Sequence, residues 1–158
     1  MKDIADKLPV AKVPGARLLM VVSPYYRGVA DQMQRGAETA AEEAEATLDR
    51  VFVPGAFEIP AAIAHAAKTG LFDGYLALGC VVRGETSHYD YVCGESARGL
   101  MDLSIREGLA IGYGILTVNT LAQAEERADP KRGDKGGESA KAALAMIALK
   151  RRFAEQKR

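Results

Sequence analysis

The sequence predicts an α/β fold with a mostly parallel sheet between helical layers, and three observations carry that reading. Apolar runs of strand length, at residues 17–23, 50–53, 75–82 and 110–118, alternate with Ala- and Glu-rich stretches of helical period. Strands separated by helices pair in parallel through crossovers, which places helices on both faces of the sheet. A chain of 158 residues is one domain's worth, long enough to bury a core.

The elements follow in order. Residues 1–16 contain Pro9, Pro14 and Gly15 without any period and read as an extended arm, which leaves 17–158 as a single domain. After the strand at 17–23, residues 29–47 place Met33, Ala37, Ala40, Ala41 and Ala44 on one helical face. The strand at 50–53 is broken by Pro54-Gly55. The next helix carries Pro60 in its first turn, where proline is tolerated, and stops at Thr69-Gly70. The uninterrupted run 75–82 opens into a polar loop holding Arg83, Thr86, Ser87 and His88. Ser87 followed by Asp90 reads as a capping box, so a helix starts there and runs over 89–107 to Gly108. Gly112 and Gly114 leave one face of the strand at 110–118 open to close approach. A short helix at 121–128, a polar loop at 129–136 and a last helix through Ala140, Ala143, Leu144 and Ile147 to Phe153 complete the chain.

Composition narrows the function. Lys and Arg balance Asp and Glu at 21 each, so no global field draws the protein to nucleic acid or to an anionic membrane. The basic cluster Lys150-Arg151-Arg152 with Lys157-Arg158 closes a helix, where cations suit the dipole. The charged opening lacks the apolar core of a signal peptide, and no apolar run approaches the ~20 residues of a membrane span. Cys80 and Cys93 form no Cys-x-x-Cys, and with two His residues a metal cluster is not expected. Reduced, buried thiols in a cytoplasmic protein are the economical reading.

In open parallel sheets, ligands bind beyond the carboxyl ends of the strands. That rule gathers three loops at one edge: Ser23 to Arg27, Pro54 to Glu58, and Arg83 to His88. The third presents backbone N–H groups at a helix start, two hydroxyls and an imidazole, the side chain that both gives and takes protons near neutral pH. An anionic substrate that needs proton transfer fits that set. His88 gains nothing from a helix N-terminus as a bystander, whereas Glu58 is expected in a first turn for capping alone. Arg83 and Lys135 read equally well as ordinary loop cations, Arg127 as a dipole partner at a helix end, and Phe57 as core. Tyr25 and Tyr26 are aromatics in a ligand-edge loop, able to stack a flat ring. No dinucleotide fingerprint, phosphate-loop motif or Gly-x-Ser-x-Gly elbow occurs.

Four segments together resemble one family. Val53-Pro-Gly-Ala-Phe-Glu-Ile-Pro60, Leu78-Gly-Cys-Val-Val-Arg-Gly-Glu-Thr-Ser-His-Tyr-Asp90, Gly114-Ile-Leu-Thr117 and Lys135-Gly136 are similar to 6,7-dimethyl-8-ribityllumazine synthase, colinearly from about residue 17 to residue 153. The resemblance implies a flavodoxin-like three-layer αβα sandwich with a four-stranded parallel sheet. It implies a transferase of riboflavin biosynthesis that condenses 5-amino-6-(D-ribitylamino)uracil with 3,4-dihydroxy-2-butanone 4-phosphate, with neither metal nor organic cofactor. Position by position, it implies that Tyr25 stacks on the pyrimidine, and that Ala56, Phe57 and Glu58 hold the pyrimidine and ribityl chain. Backbone groups of Val81 and Val82 would meet the pyrimidine, Gly84, Glu85 and Thr86 would form the phosphate turn, and His88 would transfer protons. Tyr113, Arg127 and Lys135 would arrive from a neighbouring subunit, Arg127 pairing with the phosphate. Tyr25 and Tyr113 stand where Phe is common, and Tyr26 where a small polar residue is frequent. The family builds cyclic pentamers with sites between adjacent subunits, some packed into hollow shells, and riboflavin synthase is an implied partner. The arm 1–16 is expected to add an edge strand to a neighbour. Two rival readings share the fold: an archaeal-type riboflavin synthase, and a lumazine- or flavin-binding shell protein with little catalysis. The turn 84–88 together with Arg127 favours a phosphate-bearing substrate over both.

Overall fold

The computed structural model describes residues 9–157. Four strands form one sheet, β1 (Arg17–Val22), β2 (Thr47–Phe52), β3 (Gly74–Val82) and β4 (Ile111–Val118), in the order β2-β1-β3-β4. Every pairing is parallel, with Val22 opposite Phe52 and Leu78, and Leu78 opposite Gly114. Five helices connect and cover them: α1 (Arg27–Glu43), α2 (Ile59–Ala67), α3 (His88–Arg106), α4 (Leu121–Ala128) and α5 (Lys135–Gln156). A 3₁₀ turn, Ala56–Glu58, leads into α2.

Side-chain alternation along the strands splits the core in two. Leu18, Met20, Leu76 and Leu78 pack with α1, α4 and α5 through Met33, Ala37, Ala124, Ala140 and Leu144. Leu19, Val21, Tyr75 and Ala77 pack on the other face against Ile59 and Ile63 of α2 and Val92 and Leu100 of α3. The result is the expected three-layer α/β sandwich. β1 and β3 are buried on both faces, which is why they read as unbroken apolar runs. β2 is an edge strand with intermediate and exposed residues throughout, so its polar first half, Thr47 to Asp49, did not read as strand.

Several boundaries differ from expectation for local physical reasons. α1 runs from residue 27 to residue 43 rather than over 29–47. It stops because Glu45 adopts a left-handed backbone (φ 61°) that turns the chain into β2. α5 begins at Lys135 inside the expected loop, because Gly136 and Gly137 form its first turn. A Cβ on Gly136 would collide with the carbonyl oxygen of Met33, so Gly136 lets α1 and α5 touch backbone to backbone, while a Cβ on Gly137 would run into the Asp134 side chain. Gly112 works in the same way: a Cβ there would meet the Ser139 carbonyl, and the open face expected of β4 is filled by α5. Of the segment expected as an arm, the first eight residues lie outside the described ones. Val13 and Ala16 are buried in the domain, and the Val13 and Gly15 N–H groups donate to the carbonyls of Ala44 and Glu45. The terminal basic cluster is tied down in part, with Lys150 Nζ donating to the Gly108 carbonyl at 2.8 Å and Arg151 to that of Pro14 at 3.2 Å. No helix among the described residues is long and apolar enough to cross a membrane.

Candidate active site at the carboxyl edge of the sheet

The sheet order places a switch in winding direction between β1 and β3, since β2 lies to one side of the pair and β4 to the other. The loops leaving there flank a crevice. Each strand is prolonged by one bond before its loop departs: Ser23 N–H donates to the Leu78 carbonyl, Val53 to Val22 and Arg83 to Val118, each at 2.9 Å. Gly79 then lets the loops converge. A Cβ at Gly79 would stand 3.3 Å from Ile59 Cδ1, 3.5 Å from Ala56 Cβ and 3.7 Å from Ser23 Cβ. The 3₁₀ turn therefore closes directly over β3, burying Ala56 while Phe57 and Glu58 stay exposed. The expectation that Phe57 is core fails for that reason: the turn directs it outward. Glu58 folds toward Gly55, where a Cβ would lie 3.1 Å from Oε2. Tyr25 is 75% exposed and meets Tyr26 edge-on, with centroids 5.0 Å apart. A ring so open at a ligand edge is available for stacking.

The turn from Gly84 to His88 is exposed throughout. The capping box expected from Ser87 and Asp90 is not made. Ser87 has φ −72° and ψ 0°, in the helical region, so its hydroxyl cannot reach back as an N-cap would. Thr86 Oγ1 instead accepts from the His88 N–H, at 3.4 Å. α3 thus begins at His88, and the positive end of a 19-residue helix faces the crevice beside the imidazole. Arg83 is not a loose loop cation. Its Nε donates to Asn119 Oδ1 at 3.1 Å, its guanidinium lies 4.2 Å above the Tyr89 ring, and Nη1 is 3.7 Å from Asp90 Oδ1.

The structure thus gathers Tyr25, Ala56, Phe57, Glu58, Val81, Val82, Gly84, Glu85, Thr86 and His88 at one edge. It does not bring Tyr113, Arg127 or Lys135 to that edge. Tyr113 lies in mid-strand opposite Ala77, on the α3 face of the sheet. Burial, and then the neighbouring Cys93 and Tyr89, raise the pKa of its hydroxyl. Arg127 is in the last turn of α4, on the opposite face, with Nη1 donating to the Gln123 carbonyl of its own helix at 3.1 Å. Lys135 opens α5 and pairs with Glu138 at 2.8 Å.

Sequence reasoning placed the helix at 121–128 but passed over Asn119 and the capping box at its start. Thr120 and Gln123 form the capping box of α4, with Gln123 Oε1 also accepting from the Asn119 N–H at 2.8 Å. The signal was present as Thr120-Leu-Ala-Gln123, a Ser/Thr-x-x-Glu/Gln pattern. Cys80 is half-buried and its thiol is pushed up to about 11, first by burial and then by Cys93. Among the described residues, no group of three or more His, Cys, Asp and Glu is placed to hold a metal ion.

The sequence profile of the family described as 6,7-dimethyl-8-ribityllumazine synthase matches residues 10–151. A protein of that name from Methylobacterium radiotolerans is 52% identical over 149 residues, covering 94% of this chain and 91% of the relative. One from Bartonella henselae is 53% identical over 140 residues, covering 87% and 90%. A third, 6,7-dimethyl-8-ribityllumazine synthase 1 from Rhizobium meliloti, is 52% identical over 153 residues, covering 94% and 100%. The profile spans every strand and all three edge loops, and identity near one half extends over almost the whole of each relative. The chain belongs to the 6,7-dimethyl-8-ribityllumazine synthase family.

Proposed function

We propose that the protein condenses 5-amino-6-(D-ribitylamino)uracil with 3,4-dihydroxy-2-butanone 4-phosphate, giving 6,7-dimethyl-8-ribityllumazine, phosphate and water, without metal or organic cofactor. The observation that carries this reading is that an open Tyr25 ring, the Glu58 carboxylate and His88 at the start of α3 all stand in loops leaving one edge of the parallel sheet. Tyr25 stacks on the pyrimidine, Val81 and Val82 meet it through backbone groups, and Ala56, Phe57 and Glu58 line the ribityl chain, with Glu58 accepting from its hydroxyls. Gly84, Glu85 and Thr86 form the turn that receives phosphate.

The chemistry needs protons moved at each step. The pyrimidine's amine adds to the ketone carbonyl, and water leaves as the imine forms. A proton is then removed beside the imine, and phosphate departs with its bonding electron pair. The enol left behind takes up a proton at its terminal carbon to become a new ketone, and the second nitrogen closes the ring on that carbonyl, with loss of water. His88 is placed to take and return these protons. The α3 N-terminus and Arg127 stabilise the departing anion. Holding two substrates together supplies much of the rate, so His88 contributes on the order of 10²-fold.

Arg127, Lys135 and Tyr113 complete the site from the next subunit of a cyclic pentamer. Their positions away from the crevice of their own chain support this arrangement, as a head-to-tail ring sets different patches face to face. The protein works in the cytoplasm and hands its product to riboflavin synthase, with which it associates. The test is to supply both substrates to the purified protein. Lumazine absorbance and fluorescence should rise with one phosphate released per product. Lumazine consumed to give riboflavin, or bound without turnover, would replace this reading by one of the rivals.

A further inference from the structure

Arg83 has no part in the mechanism above, yet few exposed side chains here make as many directed contacts. It stands at the exact junction where β3 becomes the phosphate turn. Its backbone N–H is bonded to the Val118 carbonyl, and its side chain reaches the Asn119 amide 36 positions away. The same guanidinium lies over Tyr89 and beside Asp90, both in the first turn of α3. One planar group thus holds the residue before the turn, the first helical residues after it and the β4–α4 connection. Asn119 is itself fixed by the α4 capping box, since its N–H donates to Gln123 Oε1, and Arg127 donates to the Gln123 carbonyl. A directed chain of contacts therefore runs from the His88 turn to the helix that carries Arg127.

We propose that Arg83, braced by Asn119, is a positioning residue that sets the phosphate-binding turn 84–88 against the β4–α4 connection; this rests on the reading of that turn given above. The residues of the turn are exposed and have little packing of their own, so their geometry needs an external clamp. A lysine keeps the charge at this position but loses the planar fork that bonds Asn119 while stacking on Tyr89. Asn119→Ala removes only the acceptor for Arg83 and leaves the backbone N–H that serves the α4 cap.

The test compares Arg83→Ala, Arg83→Lys, Asn119→Ala and the Arg83→Ala/Asn119→Ala double variant with the parent protein. The readouts are KM for each substrate, inorganic phosphate binding by calorimetry, and thermal midpoint. Each single variant should weaken phosphate binding and raise KM for the butanone phosphate by roughly three- to tenfold, as expected for a lost hydrogen bond. KM for the pyrimidine should stay within about twofold, because the clamp holds the phosphate turn and not the stacking site. The double variant should be no worse than Arg83→Ala, because both changes break one contact. Full rescue by lysine with a silent Asn119→Ala would show that Arg83 acts only as a charge. Equal losses for both substrates with a fallen thermal midpoint would show a merely structural role. Either result overturns the proposal. A parent protein that binds phosphate but forms no lumazine would strike the function and leave the calorimetric comparison to decide the clamp.

Discussion

Replacing Gly136 with alanine tests how α5, and with it Lys135, is seated. A Cβ at Gly136 collides with the Met33 carbonyl oxygen and would stand 2.6 Å from its carbon and 2.7 Å from its Cα. All three atoms are backbone, so no side chain can swing aside. Restoring van der Waals separation needs α1 and α5 to part by about 1 Å, which forfeits a quarter to a half of the dispersion energy along that contact. The face concerned holds Met33, Ala37, Ala40, Ala140, Ala143 and Leu144, all buried. Overpacking of this kind costs about 2–4 kcal/mol, offset by about 1 kcal/mol because alanine is the better helix former. The net loss of about 1–3 kcal/mol should lower the thermal midpoint by roughly 2–12 °C at fixed protein concentration. Gly94→Ala is the matched control. Gly94 is also helical, but a Cβ there meets nothing within 4 Å. It should gain roughly 0.5–1 kcal/mol by the same helix propensity. Scanning calorimetry of the two variants decides the matter. A Gly136→Ala protein that is stabilised as much as Gly94→Ala would refute the claim that these helices touch through their backbones.

Other expectations are functional. Among the described residues, the Arg127 side chain bonds only the carbonyl of Gln123, so Arg127→Ala should spare the fold and act on substrate. Loss of a charge-assisted bond of about 1.5–3 kcal/mol should raise KM for the butanone phosphate roughly 10- to 160-fold with little change for the pyrimidine; equal effects on both substrates would misplace this residue. Tyr25→Phe should keep near-normal activity while Tyr25→Ala weakens pyrimidine binding, and a Phe variant as impaired as Ala would shift the role to the hydroxyl. Cys80, raised from 9.0 to about 11, favours its neutral thiol in the fold. Its contribution to stability is therefore whole below pH 9.0 and drains away as pH rises toward 11. At pH 8 about 0.1% of it is thiolate against about 9% in the unfolded chain, so alkylation should be slower by roughly two orders of magnitude; rapid native-state labelling would contradict this.

The sheet was legible because β1 and β3 are buried on both faces and their sequences record that burial without interruption. β2 was legible only in its second half, since an edge strand keeps polar residues that carry no strand signal. The start of α5 was hidden by Gly136-Gly137. Glycine pairs read as loop in a local view, whereas here Gly136 is demanded by α1, a hundred residues earlier, and Gly137 by the Asp134 side chain. The three edge loops followed from alternation and the rule for parallel sheets, and the structure places them together. Within them, the Ser87 cap failed because one backbone angle decides whether a hydroxyl can reach its N–H, and no residue pattern fixes that angle. Arg83 was ambiguous for a different reason: its partner Asn119 is brought to it only by β3–β4 pairing. Tyr113, Arg127 and Lys135 carried no site signal of their own, and their roles rest on resemblance to the family.

That one chain carries half a site is the central claim, and mixed assemblies test it most directly. His88→Ala and Arg127→Ala chains are co-expressed, native mass spectrometry confirms that they share rings, and lumazine formation is measured at low butanone phosphate. In a head-to-tail ring with random mixing, roughly one interface in four joins an undamaged half from each neighbour, so activity should rise above that of either parent. Mixed rings whose activity is only the average of the two parents would place both residues in one subunit and contradict the shared site.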